Sequence, residues 1–164
     1  MKRRIVFLAL CAGLLLSGCA GHSGGEEMAN TMAPLIDQNG ADPWVWQENG
    51  VTYYTKTTGG DVTLWRSTGL STAAWDESMV VYTPGGELQD LWAPELHHLD
   101  GVWYIYFAAC VPGDPIHRMY VLQNSSADPF QGEWTVQAMA GMDDKFAIDG
   151  TVLTTDQGRY FIWS

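Results

Sequence analysis

The stretch Leu91-Trp-Ala-Pro-Glu-Leu-His-His-Leu-Asp-Gly-Val-Trp-Tyr-Ile-Tyr-Phe-Ala-Ala109 decides the fold. It predicts a short strand led by Leu96, a turn at Leu99-Asp-Gly, and a second, aromatic-rich strand from Val102 to Ala109. The same unit recurs on either side. Upstream, Asp42-Pro-Trp-Val leads to Gly50-Val-Thr-Tyr-Tyr-Thr; downstream, Asp149-Gly-Thr-Val-Leu leads to Gly158-Arg-Tyr-Phe-Ile-Trp. The acids that open the three units, Asp42, Glu95 and Asp149, are 53 and 54 residues apart. A fixed period with all-β content reads as the blades of a β-propeller.

Between these anchors the turn signals are closely spaced. Thr52 to Thr58, the turn Gly59-Gly-Asp and Val62 to Ser67 form a hairpin, so the first blade has at least three strands. In the second, Pro112-Gly-Asp-Pro marks a loop before a strand at His117 to Gln123, and an outer strand lies near Trp134-Thr-Val-Gln. Asp156-Gln-Gly is the matching turn of the third. No 3.6-residue apolar period is sustained beyond the first residues. The expectation is an all-β, five-bladed propeller of which about two and a half blades are present. At about 54 residues a blade, five blades need roughly 270 residues, so the sequence reads as an N-terminal fragment. The innermost strand of each blade faces the axis. Acids repeated there would set several carboxylates around one cavity, as hydrolysis of a glycosidic bond requires.

The first residues stand apart from that fold. Met1-Lys-Arg-Arg followed by the apolar run Ile5 to Leu16 has the form of a secretion signal, too short for the roughly 20 residues of a membrane helix. It ends in Leu16-Ser-Gly-Cys19, which resembles the bacterial lipobox and makes Cys19 the expected lipid attachment point. The reading is a lipoprotein signal at 1–18, a flexible small and polar linker at 19–33, and the propeller part at 34–164. The protein would be secreted and held by its lipid on the periplasmic or cell-surface side of a bacterial membrane. Cys11 falls in the signal and Cys19 carries lipid, so Cys110 alone remains and no disulfide framework is expected. Cys110 reads as a small, partly buried strand-end residue.

Of the 8 Lys plus Arg, Lys2, Arg3 and Arg4 belong to the signal, leaving five against 19 acids. That excess of negative charge argues against nucleic acid, whose phosphates need a basic face, and favours a neutral polymer. His97 and His98 alternate on a strand, cannot share a metal, and leave one ring facing solvent, so no zinc site is expected. Trp44 and Trp46 read as core.

Ala41-Asp-Pro-Trp-Val, the stretch from Leu91 to Ala109, Arg118-Met-Tyr-Val-Leu and Ala147-Ile-Asp-Gly-Thr, in that order and at blade spacing, resemble glycoside hydrolase family 43 from about Leu35 to Ser164. The resemblance implies a five-bladed propeller that hydrolyses α-L-arabinofuranosides or β-D-xylosides of plant polysaccharides with inversion. It makes Asp42 the general base that deprotonates the attacking water. It makes Asp149 the pKa modulator, whose charge keeps the general acid protonated. That acid, a Glu on the fourth inner strand, has no counterpart in this sequence, so the fragment is expected to be inactive by itself. Glu95 is therefore not the acid; it and Trp92, whose face suits a sugar ring, are the substrate-binding candidates. No cofactor or metal is expected, and a calcium ion such as some members hold on the axis would draw its ligands largely from later blades. The leading function is an exo-acting α-L-arabinofuranosidase on arabinan or arabinoxylan. A β-xylosidase or endo-arabinanase is the rival of the same class, a non-catalytic carbohydrate-binding propeller lipoprotein the rival of another, and a truncated remnant the third.

Overall fold

The computed structural model describes residues 40–68 and 75–164. The signal, the linker and Cys19 lie outside the described residues. Ten strands run in chain order: β1 (Ala41–Glu48), β2 (Val51–Thr57), β3 (Val62–Ser67), β4 (Glu77–Tyr82), β5 (Gln89–Leu99), β6 (Val102–Val111), β7 (Asp114–Asn124), β8 (Thr135–Ala138), β9 (Thr151–Thr155) and β10 (Gly158–Ile162). They form two four-stranded antiparallel sheets, β1-β2-β3-β4 and β5-β6-β7-β8, and the hairpin β9-β10. No helix occurs among the described residues. These are two blades and the inner half of a third, the partial propeller anticipated from the period.

Three details go beyond the sequence reading. The first blade has a fourth strand, β4, whose pairing with β3 covers its outer edge. Strand β5 begins at Gln89, well before Leu96, and passes through Pro94; the ladder is bulged there, so the missing N–H costs no regular bond. Likewise β6 and β7 close through Pro112-Gly113, and Pro115 lies inside β7.

The core lies between the two complete blades. Val62 and Leu64 from β3 meet Leu91 and Leu96 from β5, Ile105 and Phe107 from β6 and Leu122 from β7, all essentially without solvent exposure. Tyr53 packs edge-on to Trp103 with ring centroids 5.3 Å apart. Around this apolar seam the blades are tied by polar contacts. The Trp44 indole donates to the Leu96 carbonyl at 2.8 Å, and the Leu91 N–H donates to the Gly59 carbonyl at 3.1 Å. Arg66 bonds both oxygens of Asp128 at 2.9 and 3.0 Å and lies over the Phe130 ring, 4.2 Å from its centroid. A smaller cluster of Ala108, Met119 and Ala147, with Tyr106 and Phe161 against it, seats the third blade on the second. Gly150 lets the seam close tightly, because a side chain there would push aside the Phe161 ring and the Met119 methyl.

The histidine pair also differs from expectation. His97 is buried among Trp44, Trp46 and Tyr106, its centroid 5.1 Å from that of Trp44. His98 does not face solvent freely. It stacks on Trp103, its partner in the β5–β6 ladder, at 4.1 Å with ring planes 8° apart, and bonds Glu48 at the end of β1 at 2.8 Å. Trp44 and Trp46 pack against the core, but only partly buried.

Candidate active site

The inner strands place the acids. In β1 the ladder runs Ala41 opposite Thr57, then Trp44 opposite Thr55; in β5 it runs Trp92 opposite Ala108, then Glu95 opposite Tyr106. Both therefore carry the same bulge, and Ala41, Asp42, Pro43 and Trp44 correspond to Trp92, Ala93, Pro94 and Glu95. On the third blade Ile148 and Ser164 exchange backbone bonds of 3.0 Å and Thr151 lies opposite Ile162, which aligns Asp149 with Asp42 and Ala93. The backbone confirms this alignment. Asp42, Ala93 and Asp149 all adopt left-handed conformations, with φ of 54°, 46° and 53°.

The equal spacing of the three acids is thus only partly structural. Asp42 and Asp149 occupy the same place in their blades, whereas Glu95 matches Trp44. Aspartate tolerates the left-handed region better than most residues, which suits it to the bulge; alanine there costs roughly 1–2 kcal/mol.

All three acids nevertheless converge. A cavity of about 190 Å³ is lined by Asp42, Pro43, Trp44, Ala93, Glu95 and Asp149. Within it, the Asp42 carboxylate accepts a 2.6 Å hydrogen bond from the Thr57 hydroxyl, which in turn accepts one of 2.7 Å from the Ala93 N–H. Glu95 meets the buried His97 ring at 3.2 Å, so its carboxylate is anchored from behind. Clustered carboxylates with fixed orientation can take a proton from water and hold charge near a reacting centre.

Trp92 does not line this cavity. It borders a second one of about 570 Å³, next to Ala93 along the chain, together with Asp90, Cys110, Asp114, His117 and Phe146. One face of Trp92 stacks on His117, 3.6 Å between centroids and 17° between planes, while the residue stays 38% exposed. Phe146, half exposed, stands edge-on to His117 at 6.5 Å. Asp90, Cys110 and His117 bring donor atoms within 4.8 Å of one another. The imidazole nitrogens, however, contact the Pro115 and Asp90 carbonyls at 3.3 and 3.1 Å. Cys110 is free, and more fully buried than the sequence implied, its thiol 3.7 Å from the Gln89 carbonyl.

Thr57, Asp90 and His117 escaped the sequence reading. Thr57 had a signal, since the ladder puts a hydroxyl residue opposite the Asp42 bulge, but finding it requires the register.

The inner strands of a partial propeller thus bring three carboxylates to one cavity. The family model for glycosyl hydrolases family 43 matches residues 31–164, and the chain belongs to that family. It is similar to the extracellular exo-alpha-(1->5)-L-arabinofuranosidase of Streptomyces chartreusis, 36% identical over 140 residues that make up 80% of this chain and 42% of that protein. Among solved structures it resembles a GH43_1 enzyme from Xanthomonas citri complexed with xylose, with a TM-score of 0.61, 23% identity, and coverage of 79% of this chain and 41% of the other. It also resembles an endo-arabinase from Bacteroides thetaiotaomicron VPI-5482, with a TM-score of 0.63, 18% identity, and coverage of 77% and 45%. The chain thus spans about two fifths of the length of these relatives.

Proposed function

We propose that this chain supplies the first blades of an exo-acting, inverting α-L-arabinofuranosidase, with Asp42 as general base and Asp149 as pKa modulator. The observation that carries this reading is the shared cavity: the two aspartates sit at equivalent bulges of the first and third inner strands and open into the same space. Asp42 takes a proton from water as the oxygen attacks the anomeric carbon. Asp149 holds its negative charge beside the acid that protonates the leaving oxygen, a Glu which the family resemblance assigns to the fourth inner strand. Glu95, braced by His97, accepts hydrogen bonds from sugar hydroxyls. Trp92 offers its free face to the next ring of the chain, since its other face is already held flat by His117. The reaction is carried by carboxylates alone and calls for no cofactor.

The protein acts outside the cell, in keeping with its extracellular relative, and Cys19 anchors it to the membrane by lipid. Replacing Cys19 with Ala should release the protein from the membrane fraction.

The activity is tested on a protein that carries this segment together with the remaining blades. Aryl α-L-arabinofuranoside should be cleaved faster than aryl β-D-xyloside, and proton NMR should show the β-anomer of arabinose as the first product. Retention of configuration would overturn the inverting mechanism. Preference for the xyloside, or release of internal arabinan fragments, would reassign the substrate. Tight arabinan binding with no turnover would make it a carbohydrate-binding propeller.

A further inference from the structure

Beyond the carboxylates, the structure assigns a positioning role to Thr57: its hydroxyl, locked by an N–H of the neighbouring blade, holds Asp42 in the orientation that a general base needs. This rests on the reading of Asp42 given above. A hydroxyl has one proton and two lone pairs. The Ala93 N–H occupies one lone pair at 2.7 Å, and the Asp42 carboxylate lies 2.6 Å away on the proton's side. The proton is therefore committed to Asp42, whose Oδ2 accepts it and is held in place. Asp42 keeps its second oxygen for the proton of the attacking water.

Two further observations support the relay. Thr57 lies opposite Ala41 in the ladder, and the corresponding residue is Ala108 on the second blade and Ser164 on the third. A hydroxyl residue therefore stands opposite both bulges that carry an aspartate, and a methyl stands opposite the bulge that carries Ala93. The donor to Thr57 is also fixed from outside its own blade. The Leu91 N–H bond to Gly59 clamps the chain just after Thr57 against the chain just before Ala93. The seat of the second blade on the first thus sets the aim of the base, and the left-handed Ala93 turns its N–H towards the relay.

The test uses the complete enzyme with Thr57→Val, which keeps the shape and removes the hydroxyl, beside Thr57→Ser, which restores it. Thr57→Val should lower kcat about 10–100-fold with KM changed less than about twofold, as expected when an interaction that matters to the transition state is lost. Thr57→Ser should recover kcat to within about threefold of wild type. If Thr57→Val fails to fold, Thr57→Ala carries the same expectation. Wild-type kcat in the hydroxyl-free variant, an effect confined to KM, or an equal loss in Thr57→Ser would overturn the proposal. Asp42→Asn separates the two layers of the argument. If it stays active, the general-base reading falls; if it is inactive while Thr57→Val is normal, only the relay falls.

Discussion

Strands β1 and β5 are built alike and used differently. Each enters its blade through the same bulge, with a left-handed residue followed by proline, and each is the strand nearest the axial cavity. In β1 the left-handed residue is Asp42, with Thr57 opposite; in β5 it is Ala93, with Ala108 opposite. The bulge is therefore architecture, present whether or not an acid stands on it. On the proposed reading, chemistry is added by one side chain and one hydroxyl. The acid of β5, Glu95, comes two residues later, at the place β1 gives to Trp44, where it leans on His97.

That difference is broken most directly at Asp42. Asp42→Asn preserves the bulge, since asparagine also accepts the left-handed conformation, but removes the carboxylate proposed as the base. In the complete enzyme kcat should fall about 10²–10⁴-fold, the range general base catalysis contributes, with the thermal midpoint nearly unchanged. Glu95→Gln should behave otherwise. If Glu95 binds sugar hydroxyls, KM rises roughly tenfold, the worth of about one charged hydrogen bond, while kcat holds within a few-fold. A kcat loss as large as that of Asp42→Asn would show that the two strands carry equivalent catalytic acids, and the contrast between them would collapse.

A smaller effect is expected at Ala93, which bears the strain of the bulge without the gain. Ala93→Gly removes a penalty of roughly 1–2 kcal/mol in the folded state but adds freedom to the unfolded chain. The net should be stabilisation of up to about 1 kcal/mol, read as an upward shift of the denaturation midpoint. Destabilisation would mean that the Ala93 methyl packs in a way that outweighs its backbone cost.

The same pair of strands shows what the sequence could and could not reveal. The blade count, the hairpin turns and the aromatic strands were legible because glycine turns and alternating aromatics are local signals, as in Gly50-Val-Thr-Tyr-Tyr and Gly101-Val-Trp-Tyr-Ile. The near-equal spacing of Asp42, Glu95 and Asp149 did lead to one cavity, yet it equated residues the backbone distinguishes. Turn lengths vary between blades, so counting along the chain cannot replace the ladder register. Thr57 was illegible for a related reason, because its partners Asp42 and Ala93 belong to different strands and one of them to another blade. Strand β4 was missed because its residues, Glu77-Ser-Met-Val-Val-Tyr82, lack strict alternation and lie beyond the hairpin signals. The stacking of Trp92 on His117 depends on β5 and β7 being two strands apart in one sheet, which no spacing encodes.

The smallest effect contrasts the turns that follow the two second strands. In the first blade, Thr58 and Asp61 close the β2–β3 turn by mutual hydrogen bonds, the Thr58 hydroxyl donating to the Asp61 carbonyl at 2.5 Å. In the second, Asp114 closes the β6–β7 turn by accepting from the Ile116 N–H at 3.0 Å and from Arg118 at 2.8 Å. The backbone bond from Ile116, and then the Arg118 guanidinium, hold the Asp114 carboxyl below its ordinary value of 3.8. A carboxyl depressed in the folded state lends its stability above the unfolded value, and that stability is lost as pH falls through the lower, folded one. Acidification from about pH 4 downwards should therefore loosen the second-blade turn, seen as faster exchange of the Ile116 amide hydrogen. Asp114→Asn should abolish this pH dependence while changing overall stability little, because asparagine can still accept from the Ile116 N–H and a single part-exposed ion pair contributes little. Asp114 borders the cavity beside Trp92, so the same loosening should be sensed by Trp92 fluorescence; a Trp92 signal that ignores acid while the Ile116 amide responds would show that turn and platform are mechanically separate.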